Sequence, residues 1–230
     1  MRFYSQQGED SVLWKLFKNK KNGFYMEVGS MDGLRNSNTY IFELNGWKGM
    51  CIEAHPAYAK LNKKNRPKST VIHAAISDKD GGEIEFFASP WGATSTLRED
   101  FAHKLSARHH HTDFKQYKKM KVPVRTIASI LGEHNISKVD ILSIDIEGTE
   151  MEALRGIDYA KCKPRVLVIE RNFVSNITEF QAFMKKQGYH FARKISINHF
   201  YCRDPKDVKI IAQAARAKTK LTPLPFGLKI

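Results

Sequence analysis

Phe24-Tyr25-Met26-Glu27-Val28-Gly29-Ser30-Met31-Asp32-Gly33 decides how this chain folds. It is an apolar run of strand length that ends in an acidic, glycine-bearing turn. About twenty residues later a second apolar run, Gly49-Met50-Cys51-Ile52, ends in Glu53. A strand that stops at a glycine turn, with a carboxylate closing the next strand, is how an α/β sheet holds a nucleoside-bearing ligand. The glycines let backbone approach the ligand, and the carboxylate accepts hydrogen bonds from ribose hydroxyls. A dinucleotide fold needs Gly-x-Gly-x-x-Gly so that a pyrophosphate can sit on the helix N-terminus. Here the middle glycine position is Met31, and Asp32 lies inside the turn. An anion there repels the diphosphate of NAD or FAD and suits a ligand with an ammonium or sulfonium group, such as S-adenosylmethionine.

Outward from this motif, strand and helix patterns alternate. A helix over 9–19 precedes the first strand at 24–29, and a helix over 37–44 leads to the strand at 49–53. A helix over 56–65, a strand over 70–76 and an extended run over 83–88 follow. Residues 89–121 are irregular, aromatic and basic, and read as an inserted loop or lid. A short strand at 122–125, a helix over 127–134, a strand at 140–145 and a helix over 149–155 come next. The chain continues with a strand at 165–170 and a helix over 177–187. Two extended runs, 189–195 and 199–203, read as an antiparallel pair at a sheet edge. The alternation predicts an α/β fold, a mainly parallel sheet with helices on both faces. Residues 1–204 read as one domain and 205–230 as a basic C-terminal arm.

The second dense motif is Asp140-Ile141-Leu142-Ser143-Ile144-Asp145-Ile146-Glu147-Gly148-Thr149-Glu150, a buried strand running into three carboxylates around a glycine. Ligands in open α/β sheets lie outside the carboxyl ends of strands. Asp145 and Glu147 are therefore expected to face the same crevice as Glu27 and Glu53. Glu150 falls in the first turn of a helix, where a negative charge caps the helix and favours its dipole. The next strand, Val166-Leu167-Val168-Ile169-Glu170, also ends in a carboxylate. Asp145 and Glu170 on neighbouring strand ends can orient and deprotonate a hydroxyl, or hold Mg²⁺ or Mn²⁺ together with Asn172.

Composition sets bounds on function. The chain of 230 residues has the apolar and charged fractions of a soluble globular protein, and no apolar run of membrane-spanning length. Residues 1–6 carry no signal-peptide core. Cys51, Cys162 and Cys202 are widely spaced and read as reduced thiols, so a cytoplasmic location is expected. In that compartment the sequons at Asn135 and Asn176 carry no weight. The net charge of +14, with lysine clusters at 18–21, 60–68, 118–121, 185–186 and 216–220, suits either a solvated basic surface or an anionic partner. No aromatic residues alternate with these lysines as a base-stacking surface requires.

Local features have plain readings beside the functional ones. His109-His110-His111 cannot all point at one ion without a sharp turn, and they read as solvated. Trp91 suits a sugar face or the core equally. His55 and His73, near strand ends, read as packed histidines rather than bases.

Taken in series, these motifs resemble the FkbM family of S-adenosylmethionine-dependent methyltransferases. The matching pieces are Ser5-Gln6-Gln7-Gly8-Glu9-Asp10, the Glu27 to Gly33 turn, Ser37-Asn38-Thr39, Glu53-Ala54-His55-Pro56, Ala74-Ala75-Ile76-Ser77-Asp78 and Asp145-Ile146-Glu147-Gly148-Thr149-Glu150. The resemblance implies a Rossmann-like class I methyltransferase sheet and O-methylation of a sugar or other hydroxylated acceptor. It implies that Glu27, Gly29 and Asp32 border the methionine part of the donor and that Ser37 holds its carboxylate. Glu53 then takes the ribose and Ala75 with Ile76 the adenine, with Gln6, Ser30, Ala54 and Asp145 also in contact with the donor. The rival readings are an RNA ribose 2′-O-methyltransferase, which needs lysines flanking its acceptor, and a binding module that kept the fold without turnover.

Overall fold

The computed structural model describes residues 1–90, 92–108, 113–171 and 177–217. The main sheet holds β1 (Phe24–Val28), β2 (Lys48–Glu53), β3 (Thr70–His73), β7 (Ile141–Ile144), β8 (Val166–Glu170), β9 (His190–Ile195) and β10 (Asn198–Cys202). A smaller sheet holds β4 (Ala75–Ile76), β5 (Glu83–Ala88) and β6 (Lys118–Arg125). The main order is β3-β2-β1-β7-β8-β10-β9. All neighbours as far as β8 run parallel, and β10 is antiparallel to both β8 and β9. This is the doubly wound Rossmann-like order with an antiparallel strand inserted next to the edge, as a class I methyltransferase has it. The order reverses between β1 and β7, so the crevice for a ligand lies beyond their carboxyl ends.

Period-two alternation sends successive side chains to opposite faces. Met26, Val28, Leu142, Ile144, Leu167 and Ile169 face a core closed by α5 (Ile127–Glu133), α6 (Glu150–Arg155) and α7 (Ile177–Lys186). Tyr25, Ile141, Val166, Val168 and Phe200 face the opposite core, closed by α1 (Glu9–Phe17), α2 (Tyr40–Leu44) and α8 (Pro205–Gln213). α8 carries a fully buried Ile211 and packs on α1 and β9. The first nine residues of the expected arm are therefore a helix of the sheet's own core, and 218–230 lie outside the described residues.

Three elements differ from the sequence reading. The helix expected from 37 begins only at Tyr40, because Ser37, Asn38 and Thr39 all turn toward Glu27. The strand expected over 70–76 breaks at Ala74, and β4 crosses to the smaller sheet. The segment expected to be irregular holds α4 (Glu99–Arg108) and a short 3₁₀ turn (Phe114–Gln116), and β6 starts at Lys118 because it pairs along its length with β5. The alternation in fact runs through this pairing, with Met120, Val122 and Val124 on the packed face and Lys119, Lys121 and Arg125 on the other. Trp91 and 109–112 lie outside the described residues.

Arg66, at the end of α3 (Pro56–Asn65), is fully buried. Its Nε donates to Glu43 at 2.9 Å, and its Nη1 to the Gly33 carbonyl at 2.8 Å and to Ser37 at 3.2 Å. Nη2 reaches Thr39 at 3.1 Å, and Glu27 lies 3.4 Å from Nη1. The rings of Tyr25 and Tyr40 sit 5.2 Å from the guanidinium. Two buried carboxylates, Glu27 and Glu43, thus depend on one cation. Removing that cation strands both, and Arg66→Met is expected to cost about 3–5 kcal/mol of unfolding free energy by urea titration. Arg66→Lys, which keeps charge but not the fork, should lie between.

Candidate active site

A cleft of ≈ 340 Å³ opens at the carboxyl ends of β1, β2, β7 and β8. Its floor is the turn after β1. Gly29 has φ 81°, in the left-handed region, and a Cβ placed on it would lie 1.7 Å from the Asp145 carbonyl. The Asp145 amide in turn donates to Val28 O at 3.0 Å. The two turns at the switch point are therefore in backbone contact, and only glycine permits it.

Glu53 closes β2 and is buried. Its Oε2 accepts from the Met31 amide at 2.6 Å and its Oε1 from the His55 amide at 2.8 Å. Each oxygen keeps a further lone pair, which suits a pair of ribose hydroxyls. Burial pushes this carboxyl up to about 7, against the lowering effect of those two amides. Ala54, Ala75, Ile76, Phe86 and Leu97 give the cleft an apolar wall beside it, suited to a flat base. Gln6, Gly29 and Ser30 also line the cleft. Gln6 is held there by the N-terminal motif: Asp10 accepts from the Ser5 hydroxyl at 2.6 Å, and Glu9 accepts from Asn198 at 2.9 Å. The residues present thus fit a nucleoside-bearing donor.

Three expected donor contacts have other partners. Glu27 lines the cleft, but its oxygens accept from the Asn38 amide at 2.7 Å and from the hydroxyls of Ser37 at 2.7 Å and Thr39 at 2.6 Å. The Ser37 proton is thereby committed to Glu27, and its oxygen accepts from the amides of Thr39 and Tyr40, so it has no donor left for a ligand carboxylate. Asp32 does not line the cleft. It accepts from the amides of Leu34 and Arg35 and pairs with the Arg35 guanidinium, so it shapes the turn and its charge is compensated. Asn38 and Arg35, which the motif reading passed over, do line the cleft. Asn38 could have been found from its place in the Ser37-Asn38-Thr39 motif, whereas nothing local marks Arg35.

On the other side, Asp145, Glu147 and Glu170 each present a carboxylate oxygen within 4.8 Å of the others. Glu170 is buried at the end of β8, and Asp145 is exposed. Burial, then the charge of Asp145 and a hydrogen bond to it, pushes the Glu170 carboxyl well above the usual carboxylate range. Glu147 takes the place expected of Asn172, which lies outside the described residues; the trio is a donor set that a hard cation accepts. Glu150 stays apart from the cleft and accepts from the amides of Gly148 at 3.0 Å and Ile146 at 3.3 Å, so it ties down the turn that precedes α6. His55 packs edge-on against Tyr58, and His73 bonds the Ala54 carbonyl at 2.9 Å; neither lines the cleft. A third wall comes from 92–97, where Thr96 Oγ1 donates to the Glu147 carbonyl at 2.7 Å and Tyr117 donates to Thr94.

Gly29→Ala is expected to destabilise the fold by more than the roughly 1–2 kcal/mol of a left-handed residue, because the Asp145 turn must also move. Urea unfolding measures the loss. A variant as stable as the parent would show that the two turns are not in fixed contact.

The Methyltransferase FkbM domain matches residues 27–191. No curated protein matches the chain. Among solved structures, a TehB-like SAM-dependent methyltransferase from Corynebacterium glutamicum is similar at 8% identity, covering 87% of this chain and 89% of that one, with a TM-score of 0.47. A precorrin-6y C5,15-methyltransferase from Geobacter metallireducens is similar at 10% identity, covering 87% and 91%, with a TM-score of 0.44. A SAM-dependent methyltransferase from Thiobacillus denitrificans, solved with S-adenosyl-L-homocysteine, shows 10% identity over 84% and 68%, with a TM-score of 0.39. With the family match running from the end of β1 to the start of β9, this chain belongs to the FkbM family of S-adenosylmethionine-dependent methyltransferases.

Proposed function

We propose that this methyltransferase acts on oxygen, and that its acceptor is a hydroxyl of a sugar or glycan. The observation that carries the reading is a reversal of charge. In a chain of net charge +14, the described residues lining the cleft include five carboxylates, Glu27, Glu53, Asp145, Glu147 and Glu170. Arg35 is the one cation among them, and it is paired with Asp32; no lysine or histidine among the described residues lines the cleft. Of the carboxylates, Glu27 shares Arg66 and Glu170 holds its proton, which leaves Asp145 and Glu147 on the acceptor side to accept from sugar hydroxyls and repel a phosphodiester backbone. The lysines that an RNA ribose methyltransferase places around its acceptor have no counterpart among the described residues of the cleft.

When bound, S-adenosylmethionine supplies a methyl group carried on a sulfonium. Glu53 and the apolar wall of Ala54, Ala75, Ile76 and Phe86 would hold its adenosine, with the Gly29 turn beneath. Asp145, the exposed member of the acidic pair, orients the acceptor hydroxyl and takes its proton. Glu170 holds its own proton toward Asp145 and fixes that carboxylate in place. The wall from 92–97 covers the acceptor side and limits water, and most of the rate comes from such positioning.

Asp145→Asn and Glu170→Gln are expected to lose turnover by about 10²–10⁴-fold while S-adenosylhomocysteine affinity by calorimetry stays near the parent value. Wild-type turnover in Asp145→Asn would remove it from the mechanism. The same assay in chelator tests the cation: loss of activity that Mg²⁺ or Mn²⁺ restores would put an ion on Asp145, Glu147 and Glu170, and full activity would leave proton transfer to the pair alone. Labelled-donor transfer to glycan, RNA and protein pools tests the acceptor, and label in RNA alone would overturn the glycan reading.

Glu53 gives a pH dependence with a definite sign. Its ionised form accepts from ribose, but burial raises its pKa to about 7, so below that pH binding must expel a proton. S-adenosylhomocysteine affinity should rise with pH, by at most about tenfold per unit, and level off above about 7. Glu53→Gln should flatten the profile.

A further inference from the structure

The charge excess that the cleft does not use has its own place. At the opposite end of the sheet, where β7 and β8 begin and β10 ends, an open cleft of ≈ 1060 Å³ is lined by Lys20, Lys138, Lys161, Lys163, Arg165 and Arg203. Three acids share it, and each is already engaged. Buried Asp140 accepts from the Phe24 amide at 3.0 Å and pairs with Lys20 at 3.2 Å. Buried Asp207 holds Arg165 through two bonds, at 2.6 and 2.7 Å. Asp204 caps α8 by accepting from the Lys206 amide at 2.8 Å. Lys138, Lys163 and Arg203 are exposed and have no ion pair among the described residues. The buried acids therefore brace two cations, and three more stand free at the rim.

We propose that this basic cleft binds an anionic polysaccharide segment, through its carboxylate or sulfate groups. The shape and lining argue for that occupant. Among the described residues, no exposed large apolar side chain lines the cleft, as a membrane surface or an apolar partner would use. The one aromatic among them, Tyr159, is half-buried with its phenol oxygen enclosed, so it offers no platform for stacked bases. Charge alone does the recognising, at a site separated from the methyl-transfer cleft by the length of the strands. The choice of a glycan as the polyanion rests on the function proposed above; the binding of a polyanion does not.

The test is binding of polygalacturonate to the full chain at low and moderate salt, with a uridine oligomer of matched charge as the competing probe. Lys138→Glu/Lys163→Glu is compared with Lys185→Glu/Lys186→Glu, which changes net charge equally at exposed positions of α7. The cleft variant should bind polygalacturonate at least about tenfold more weakly than the control variant, with salt reducing affinity in the parent. Unfolding midpoints and S-adenosylhomocysteine affinity should match in all three proteins. Equal weakening in the two variants, or no binding by the parent, overturns the site. Tighter binding of the uridine oligomer that the cleft variant alone loses would assign the cleft to nucleic acid and overturn the glycan occupant. Methyl transfer to neutral glycan pools, measured in parallel, reports on the proposed function by itself, so failure of one is not read as failure of the other.

Discussion

One buried guanidinium organises the β1–β2 side of the cleft. Arg66 has no exposure to solvent, yet it joins Glu27 on β1, Glu43 on α2, the Gly33 carbonyl and the hydroxyls of Ser37 and Thr39. Burying a charge is costly unless it is paired and hydrogen-bonded, and here every direction of the fork is met. The loops on both sides of the donor cleft are thereby referred to one point. Ser37 and Thr39 are drawn out of a helix that their neighbours would extend, and the Gly33 end of the turn is held from below. The glycine turn is thereby tied to α3 through the Gly33 carbonyl.

The parallel strands and their strand-end carboxylates were legible in the sequence because each has a local signature, whereas the order of the strands came only with the structure. An apolar run closing on Glu27-Val28-Gly29 or on Glu170 announces a buried parallel strand and its ligand end. What a carboxylate does there is not local. Glu27 and Glu53 look equivalent in one dimension, both acidic at the end of a strand. In three dimensions, Glu27 is consumed by side chains and an amide ten to twelve residues further on, and Glu53 by two amides that leave lone pairs to spare. Arg66 was invisible for the same reason: a basic residue after a lysine-rich helix reads as surface until its partners are known. β6 was half hidden because its lysine-rich start reads as surface, although Met120 continues the inward face of Val122 and Val124 along the pairing with β5.

The distribution of charge is better understood as two fields than as one total. The cleft between β1 and β7 gathers carboxylates, whereas the amino ends of β7 and β8 gather lysine and arginine. A parallel sheet separates the two by placing all its carboxyl ends on one side. A net charge of +14 therefore says little about what approaches the reacting atoms.

The cleft's walls come from different parts of the architecture. The donor side is cut into the main sheet and shares its core, so substitutions there must satisfy packing as well as binding. The opposite wall, 92–97, hangs from the small sheet and is stitched to Glu147 by a hydrogen bond from Thr96. Variation in that segment changes what the cleft touches without disturbing how the sheet is built. Such an enzyme is free to diversify in substrate while its donor chemistry stays fixed, with the pace of change set by a few residues outside its hydrophobic core.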